Sequence, residues 1–328
     1  MHFQLQTSIS IIAALCATGQ VLAQKWPIVF KGRMSKGSTP ATFDSTASLF
    51  DSKNVKGANL TWAQIIQLPN TTISLFDTNI TTISTLITLF DASIFAPSAT
   101  NIQTGSRRAE LLLSSNNGSD SSTLGQKIVR FLIMKDTKRP LNMSHEYQLF
   151  FLESEDFGTN QVVLKTGTIS GITQNSTNNL VMVGNDNTQI GTPFSTPFTE
   201  GRHNFEVVMD FDRKFVLPFP LSFRAPFALS TPPNSKNSTT QILHATDTTT
   251  PLSTVTTPIT NDISGQGQYH FGMLKKPTGE NLTDVTEQWF QESGIDEGVV
   301  WGGVFVEDSA VGGGVGCEFG AVIVRWEG

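Results

Sequence analysis

The stretch His203-Asn204-Phe205-Glu206-Val207-Val208-Met209-Asp210-Phe211 decides the fold class. Phe205, Val207, Met209 and Phe211 fall on one side of an extended chain, and Asn204, Glu206 and Asp210 on the other, which is the period of a half-buried strand. The alternation recurs in Lys127–Met134, Glu146–Leu152, Gln161–Ile169, Gln268–Leu274 and Val299–Val306, each bounded by Gly, Asn, Pro or Ser/Thr clusters. Helical signal is confined to Ala63–Leu68, behind Asn59-Leu60-Thr61-Trp62, and to Val285–Phe290. About ten strands without crossover helices predict an all-β fold, an antiparallel β-sandwich of jelly-roll type.

Residues 1–23 read as a signal peptide, with the apolar run Ile9–Ala17 and the small-residue site Val21-Leu22-Ala23 before Gln24. No later stretch reaches the ~18 apolar residues that span a bilayer, which predicts a secreted domain over 24–328. Asn59, Asn70, Asn79, Asn117, Asn142, Asn175, Asn237 and Asn281 each open an N-x-S/T glycosylation triplet. Cys16 leaves with the leader and Cys317 stands alone, so no internal disulfide is expected. A net charge of −6 and the lack of a basic run argue against nucleic acid or an anionic membrane as partner. An uncharged polymer suits that balance, and a monomer is expected.

Two regions break the strand rhythm. Asp212–Thr260 runs through Leu217-Pro218-Phe219-Pro220-Leu221 into a Ser/Thr/Pro-rich tract and reads as a long surface excursion at about 213–260. The other is the tail with Gly312-Gly313-Gly314, Cys317 and Ala321–Trp326.

Two strings carry the chemistry. Charged residues are 15% of the chain, against roughly 25% in an average soluble protein, so a carboxylate among basic and amide neighbours stands out. In Arg107-Arg108-Ala109-Glu110-Leu111, alternation sends Ala109, Leu111 and Leu113 to the core and leaves Arg108 and Glu110 on the exposed, concave face. In Leu141-Asn142-Met143-Ser144-His145-Glu146-Tyr147-Gln148-Leu149, Glu146 and Gln148 share a face while His145 and Tyr147 point the other way. Each string also fits a plain structural role, a surface salt bridge in the first and a solvated Glu beside a core His in the second. Two carboxylates held across a sheet are the minimum equipment for cutting a glycosidic bond.

Competing chemistries find no support. The second His of H-E-x-x-H falls on Leu149, and His203, His244 and His270 lack metal-ligand spacing. There is no G-x-S-x-G elbow, phosphate loop, EF-hand loop or paired cysteine, so neither metal nor cofactor is expected. Cys317 lacks a nearby His and reads as inert. Trp62, Trp289 and Trp301 suit either sugar stacking or core packing.

The chain resembles fungal glycoside hydrolase family 131 through Val29-Phe30-Lys31-Gly32-Arg33, Leu60-Thr61-Trp62, Arg107–Leu111, His145–Leu149, Lys165-Thr166-Gly167, His203-Asn204-Phe205, His270-Phe271-Gly272 with Lys275-Lys276-Pro277, and Gly302–Ser309. The resemblance implies a secreted jelly-roll β-glucanase acting on β-1,3, β-1,4 or β-1,6 linkages. It implies Glu110 and Glu146 as the catalytic pair, with Arg107 or Arg108, His145, Gln148, His203 or His270, and Lys275 or Lys276 as substrate contacts. Desolvation at a strand edge favours Glu110 as the acid, although Arg108 opposes it. Inversion is the expected stereochemistry. A lectin-like jelly roll or a wall glycoprotein is the alternative.

Overall fold

A computed structural model describes residues 26–69, 74–77, 81–185, 189–211, 238–247, 249–279, 284–287 and 290–309. The proposed leader, Asn70, Asn79, Asn237, Asn281, Trp289, Cys317 and the Gly-rich tail lie outside those residues.

Seventeen strands are described: β1 Ile28–Lys31, β2 Met34–Ser35, β3 Ile66–Gln67, β4 Thr82–Ile83, β5 Thr85–Phe90, β6 Arg107–Leu112, β7 Gln126–Lys135, β8 Glu146–Glu153, β9 Asn160–Gly167, β10 Asn179–Gly184, β11 Gln189–Pro197, β12 His203–Asp210, β13 Thr239–Ala245, β14 Ser253–Thr254, β15 Ile259–Thr260, β16 Gln268–Lys275 and β17 Asp296–Asp308. All pair antiparallel among the described residues. One sheet has the order β14-β13-β12-β7-β17-β5-β3 with β1 and β15 attached, the other β11-β10-β9-β8-β16-β6, and a small pair joins β2 to β4. This is the expected sandwich.

Between the sheets the alternating apolar side chains form one core around Phe131. Its ring lies 4.8 Å from Phe150 of the facing sheet, 5.3 Å from Phe205 and 5.7 Å from Trp301. Trp301 and Trp62 are buried, so both pack the core. The one α-helix among the described residues, α1 Trp62–Ile65, is shorter than expected. Its start is fixed by the Thr61/Gln64 capping box and by Asp44, whose carboxylate accepts the Trp62 and Ala63 N–H groups. Residues 285–287 form a turn where a helix was expected.

The stretch read as an excursion is narrower than that. Thr239–Ala245 pairs residue for residue with β12, from Asp210 opposite Thr239 to Asn204 opposite Ala245. Thr240, Ile242 and His244 are buried. The Ser/Thr content hid the strand because threonine suits a pleated surface as well as a loop. Residues 212–237 lie outside the described residues.

Candidate functional site

A bulge in β8 sets the site. Its register slips against β9 between Gln148 and Phe150, and against β16 between Phe271 and Leu274. Tyr147, Leu149, Phe150 and Leu152 therefore all enter the core, while Gln148, Phe151 and Glu153 face outward. On β16, Tyr269, Phe271 and Met273 face inward, which turns Leu274 out, and the residue after the strand, Lys276, joins the outer face. Gly272 has no tolerance for a side chain, since a Cβ there would sit 2.1 Å from the Ala109 carbonyl oxygen of β6. The outer face of the six-stranded sheet carries a groove of about 310 Å³, walled by Gln103, Arg108, Gln148, Phe151, Glu153, Asn160, Leu274 and Lys276. A second hollow of about 430 Å³ begins at Thr159 and has an acidic rim of Glu155, Asp156 and Asp262.

Glu110 lies beneath this groove rather than exposed on it, with its side chain 0% accessible. Arg108 grips it from both sides, Nε to Oε1 at 2.7 Å and Nη2 to Oε2 at 2.9 Å. Its Oε2 also lies 2.7 Å from His270 Nδ1. Burial pushes the Glu110 carboxyl up, but Arg108 and His270 outweigh it and hold the group below the usual carboxylate range. That environment opposes the expected role of Glu110 as the acid. The other ring nitrogen of His270, Nε2, faces Glu153 Oε2 at 3.3 Å. Burial works against the imidazolium, and the two flanking carboxylates prevail, raising its pKa. Phe151 stacks on the ring, centroid to centroid 4.2 Å.

Glu146 sits at the other end of the same outer face. Its Oε1 accepts from Lys165 Nζ at 2.7 Å and Lys276 Nζ at 2.8 Å, and its Oε2 accepts the Ser170 N–H at 2.9 Å. Burial raises its pKa, but Lys276 and Lys165 overcome that and bring it to about 2. Gln148 lies between the two clusters and accepts from the Asn160 amide at 2.9 Å.

Four expected contacts lie elsewhere. Lys275 points into the sandwich, bonded to Glu292 and, at 2.7 Å, to Glu297, which also accepts from Tyr147 Oη. His145 joins that cluster, its Nδ1 2.7 Å from the Lys276 carbonyl oxygen and its Nε2 3.8 Å from Glu292. Arg107 donates to the Thr104 and Ser106 carbonyls at 2.9 Å each and so braces a loop. His203 belongs to the other sheet, stacked on His244 with Nδ1 3.2 Å from His244 Nε2. Strand alternation explains the first three, because 145, 147, 107 and 275 all fall on inward positions. Of the triplet asparagines, Asn59, Asn117 and Asn175 are exposed, whereas the Asn142 amide donates to Glu292 at 2.6 Å.

Glu153 was not singled out in the sequence. Simple alternation from Glu146 puts 153 on the inward face; only the bulge carries it out. Among the described residues no group of three or more His, Cys, Asp or Glu side chains is arranged to hold a metal ion, and no helix is long and apolar enough to cross a membrane.

Comparison with known proteins follows the same lines. The family model "Glycoside hydrolase 131 catalytic N-terminal domain" matches residues 28–312. The chain shares its fold with the GH131 β-glucanase catalytic domain from Podospora anserina at 19% identity, TM-score 0.59, over 86% of this chain and 96% of that one. It is likewise similar to the catalytic domain of the glycoside hydrolase family 131 protein from Coprinopsis cinerea at 18% identity, TM-score 0.53, over 88% and 98%. No curated protein matches.

Proposed function

The chain belongs to glycoside hydrolase family 131, and from that premise we propose that it is a secreted enzyme hydrolysing β-linked glucan laid along the groove, with Glu153 exchanging a proton with the substrate directly and Glu110 acting through His270. The observation that carries the assignment is the row Glu110–His270–Glu153, one carboxylate on each ring nitrogen, ending at the groove wall. The β-glucanase activity named for the Podospora relative supports the choice of substrate.

Hydrolysis adds water across the C1–O bond: a proton goes to the leaving oxygen, and the attacking water gives one up. Glu153, at the groove wall, exchanges one of these protons with the substrate. The other passes through solvent, which restores Glu153 before the next cycle, because Glu110 is inaccessible beneath the groove. His270, hydrogen-bonded to Glu110 through Nδ1 and 3.3 Å from Glu153 through Nε2, places its charge between the buried carboxylate and the one at the groove. Inversion is the stereochemistry that the family resemblance leads us to expect.

Glu146 takes a different part in this reading. A carboxylate bound by two ammonium groups and a backbone N–H neither gives nor takes a proton readily near neutrality, so it anchors Lys276 at the groove wall. The test is reducing-sugar release from laminarin and barley glucan, per folded molecule, with proton NMR of the first-formed anomer. Glu153→Gln should lose about 10²–10⁴-fold in kcat, the usual effect of removing a general acid or base, while Glu146→Gln keeps more than about a tenth. The pair read from the sequence, Glu110 with Glu146, is the second reading, favoured by the place of Lys276 in the groove. A hundredfold loss in Glu146→Gln beside near-wild-type Glu153→Gln would move the assignment there. No release from either glucan by folded wild type would leave a glucan-binding jelly roll instead.

A further inference from the structure

Phe157 stands at the tip of the β8–β9 hairpin, 72% exposed, on the wall of the groove. A single exposed apolar residue is ordinary. This one combines exposure with an unfavourable backbone, since its φ is +58°, in the left-handed region where Gly or Asn is at ease and a bulky side chain is an outlier. Nothing loose allows it. The Ser154 carbonyl accepts the Phe157 N–H at 2.9 Å, Asp156 Oδ1 accepts from Ser154 Oγ at 2.6 Å and from the Gly158 N–H at 3.0 Å, and the Ser154 N–H bonds the Thr159 carbonyl at 2.8 Å. The turn is tied down by hydrogen bonds, strained at one residue, and holds an exposed aromatic ring on the groove that Glu153 also lines.

We propose that Phe157 is a sugar-stacking platform, a subsite that receives the apolar C–H face of a glucosyl ring next to the bond being cut. This rests on the proposed glucan hydrolysis and adds the residue that sets the chain's register in the groove. A β-linked glucosyl unit carries its hydroxyls equatorially and so offers a flat C–H face, which an exposed aromatic covers while the hydroxyl rim meets the polar groups of the wall. A backbone held in a sparsely populated conformation at a ligand clamp is the usual form of such pre-organisation. A structural role is not open to the ring, because a side chain so exposed packs little.

Phe157→Gly and Phe157→Trp, assayed on laminarin for kcat and KM and by retardation in laminarin-containing native gels, test the proposal. Phe157→Gly should raise KM and weaken retardation about fivefold or more, as removal of an anchoring aromatic does, with kcat changed less than about twofold. Its Tm should stay level or rise, because Gly relaxes the left-handed residue. Phe157→Trp should keep wild-type KM. An active wild type whose Phe157→Gly variant has unchanged KM and retardation overturns the platform alone, as does a variant that merely loses Tm. A folded wild type that neither cuts nor is retarded by laminarin or barley glucan overturns both readings.

Discussion

Glu110 and Glu146 are buried carboxylates that stay ionised, and their cost of burial is met by cations fixed on neighbouring strands. Carboxylates exposed on a concave sheet face, as strand alternation predicts for Glu110, would tolerate Glu→Gln with little loss of stability. Burial argues otherwise. Glu110→Gln strands Arg108, and Glu146→Gln strands Lys165, whose side chain is 1% exposed. Each should cost about 3–5 kcal/mol of unfolding free energy by urea titration, the penalty of leaving a buried partner uncompensated. Glu153→Gln should cost under about 1 kcal/mol, because its side chain is 20% exposed and its partner His270 keeps Glu110. A Glu153→Gln variant destabilised as much as Glu110→Gln would show that Glu153 belongs to the buried network and not to the groove.

The strands best read from the sequence are those whose alternation survives intact. The run seen in Lys127–Met134 is β7 and Gln268–Leu274 is β16, whereas Val299–Val306 lies inside β17 but changes face at Gly302 and Gly303, Val299 and Trp301 giving way to Val304 and Val306 on the core side where the register against β7 slips. Where the period breaks, sequence reasoning loses the face: the bulge at Leu149 and Phe150 carried Glu153 into the groove unseen, while residues N-terminal to it were placed correctly. The pairing of Glu110 with His270 spans 160 residues, and no local pattern encodes which of two histidines a distant strand brings alongside. The β12–β13 hairpin yields a prediction of its own. Asp210 and Thr239 are already register partners, so replacing 212–237 by a short turn asks for no new strand contact. Loop closure changes by only ~0.6 kcal/mol per doubling of length, so the shortened chain should fold with laminarin activity within about twofold of wild type. Removing Thr239–Ala245 as well should abolish folding, because Ile242 leaves the core with it. Circular dichroism and activity of the two deletions distinguish the hairpin from a dispensable tract.

At the scale of the whole molecule, the pH response combines groups from both sheets. His203 and His244 are buried against each other beside Phe194, Phe198 and Phe205, and burial depresses both to about 4. A hydrogen bond to the Thr199 backbone opposes the depression of His203 only partly, and nearby Lys135 adds to it. Between the ordinary histidine value of about 6.5 and 4, the unfolded chain binds protons that the folded chain refuses, so stability falls as pH drops through that window. Glu146 acts in a lower window: its stabilisation is complete above about 4.5 and disappears as pH falls toward 2. His270 acts in the opposite sense, because a raised pKa stabilises fully below about 6.5 and loses that contribution as pH rises through the folded value. Tm should therefore decline in two acid steps. The upper step should flatten in His203→Gln/His244→Gln, which keeps hydrogen-bonding side chains but removes both titrations, while the lower step remains. Scanning calorimetry from pH 7 to 3 reads both, and an unchanged upper step in the double variant would place its origin outside the histidine pair.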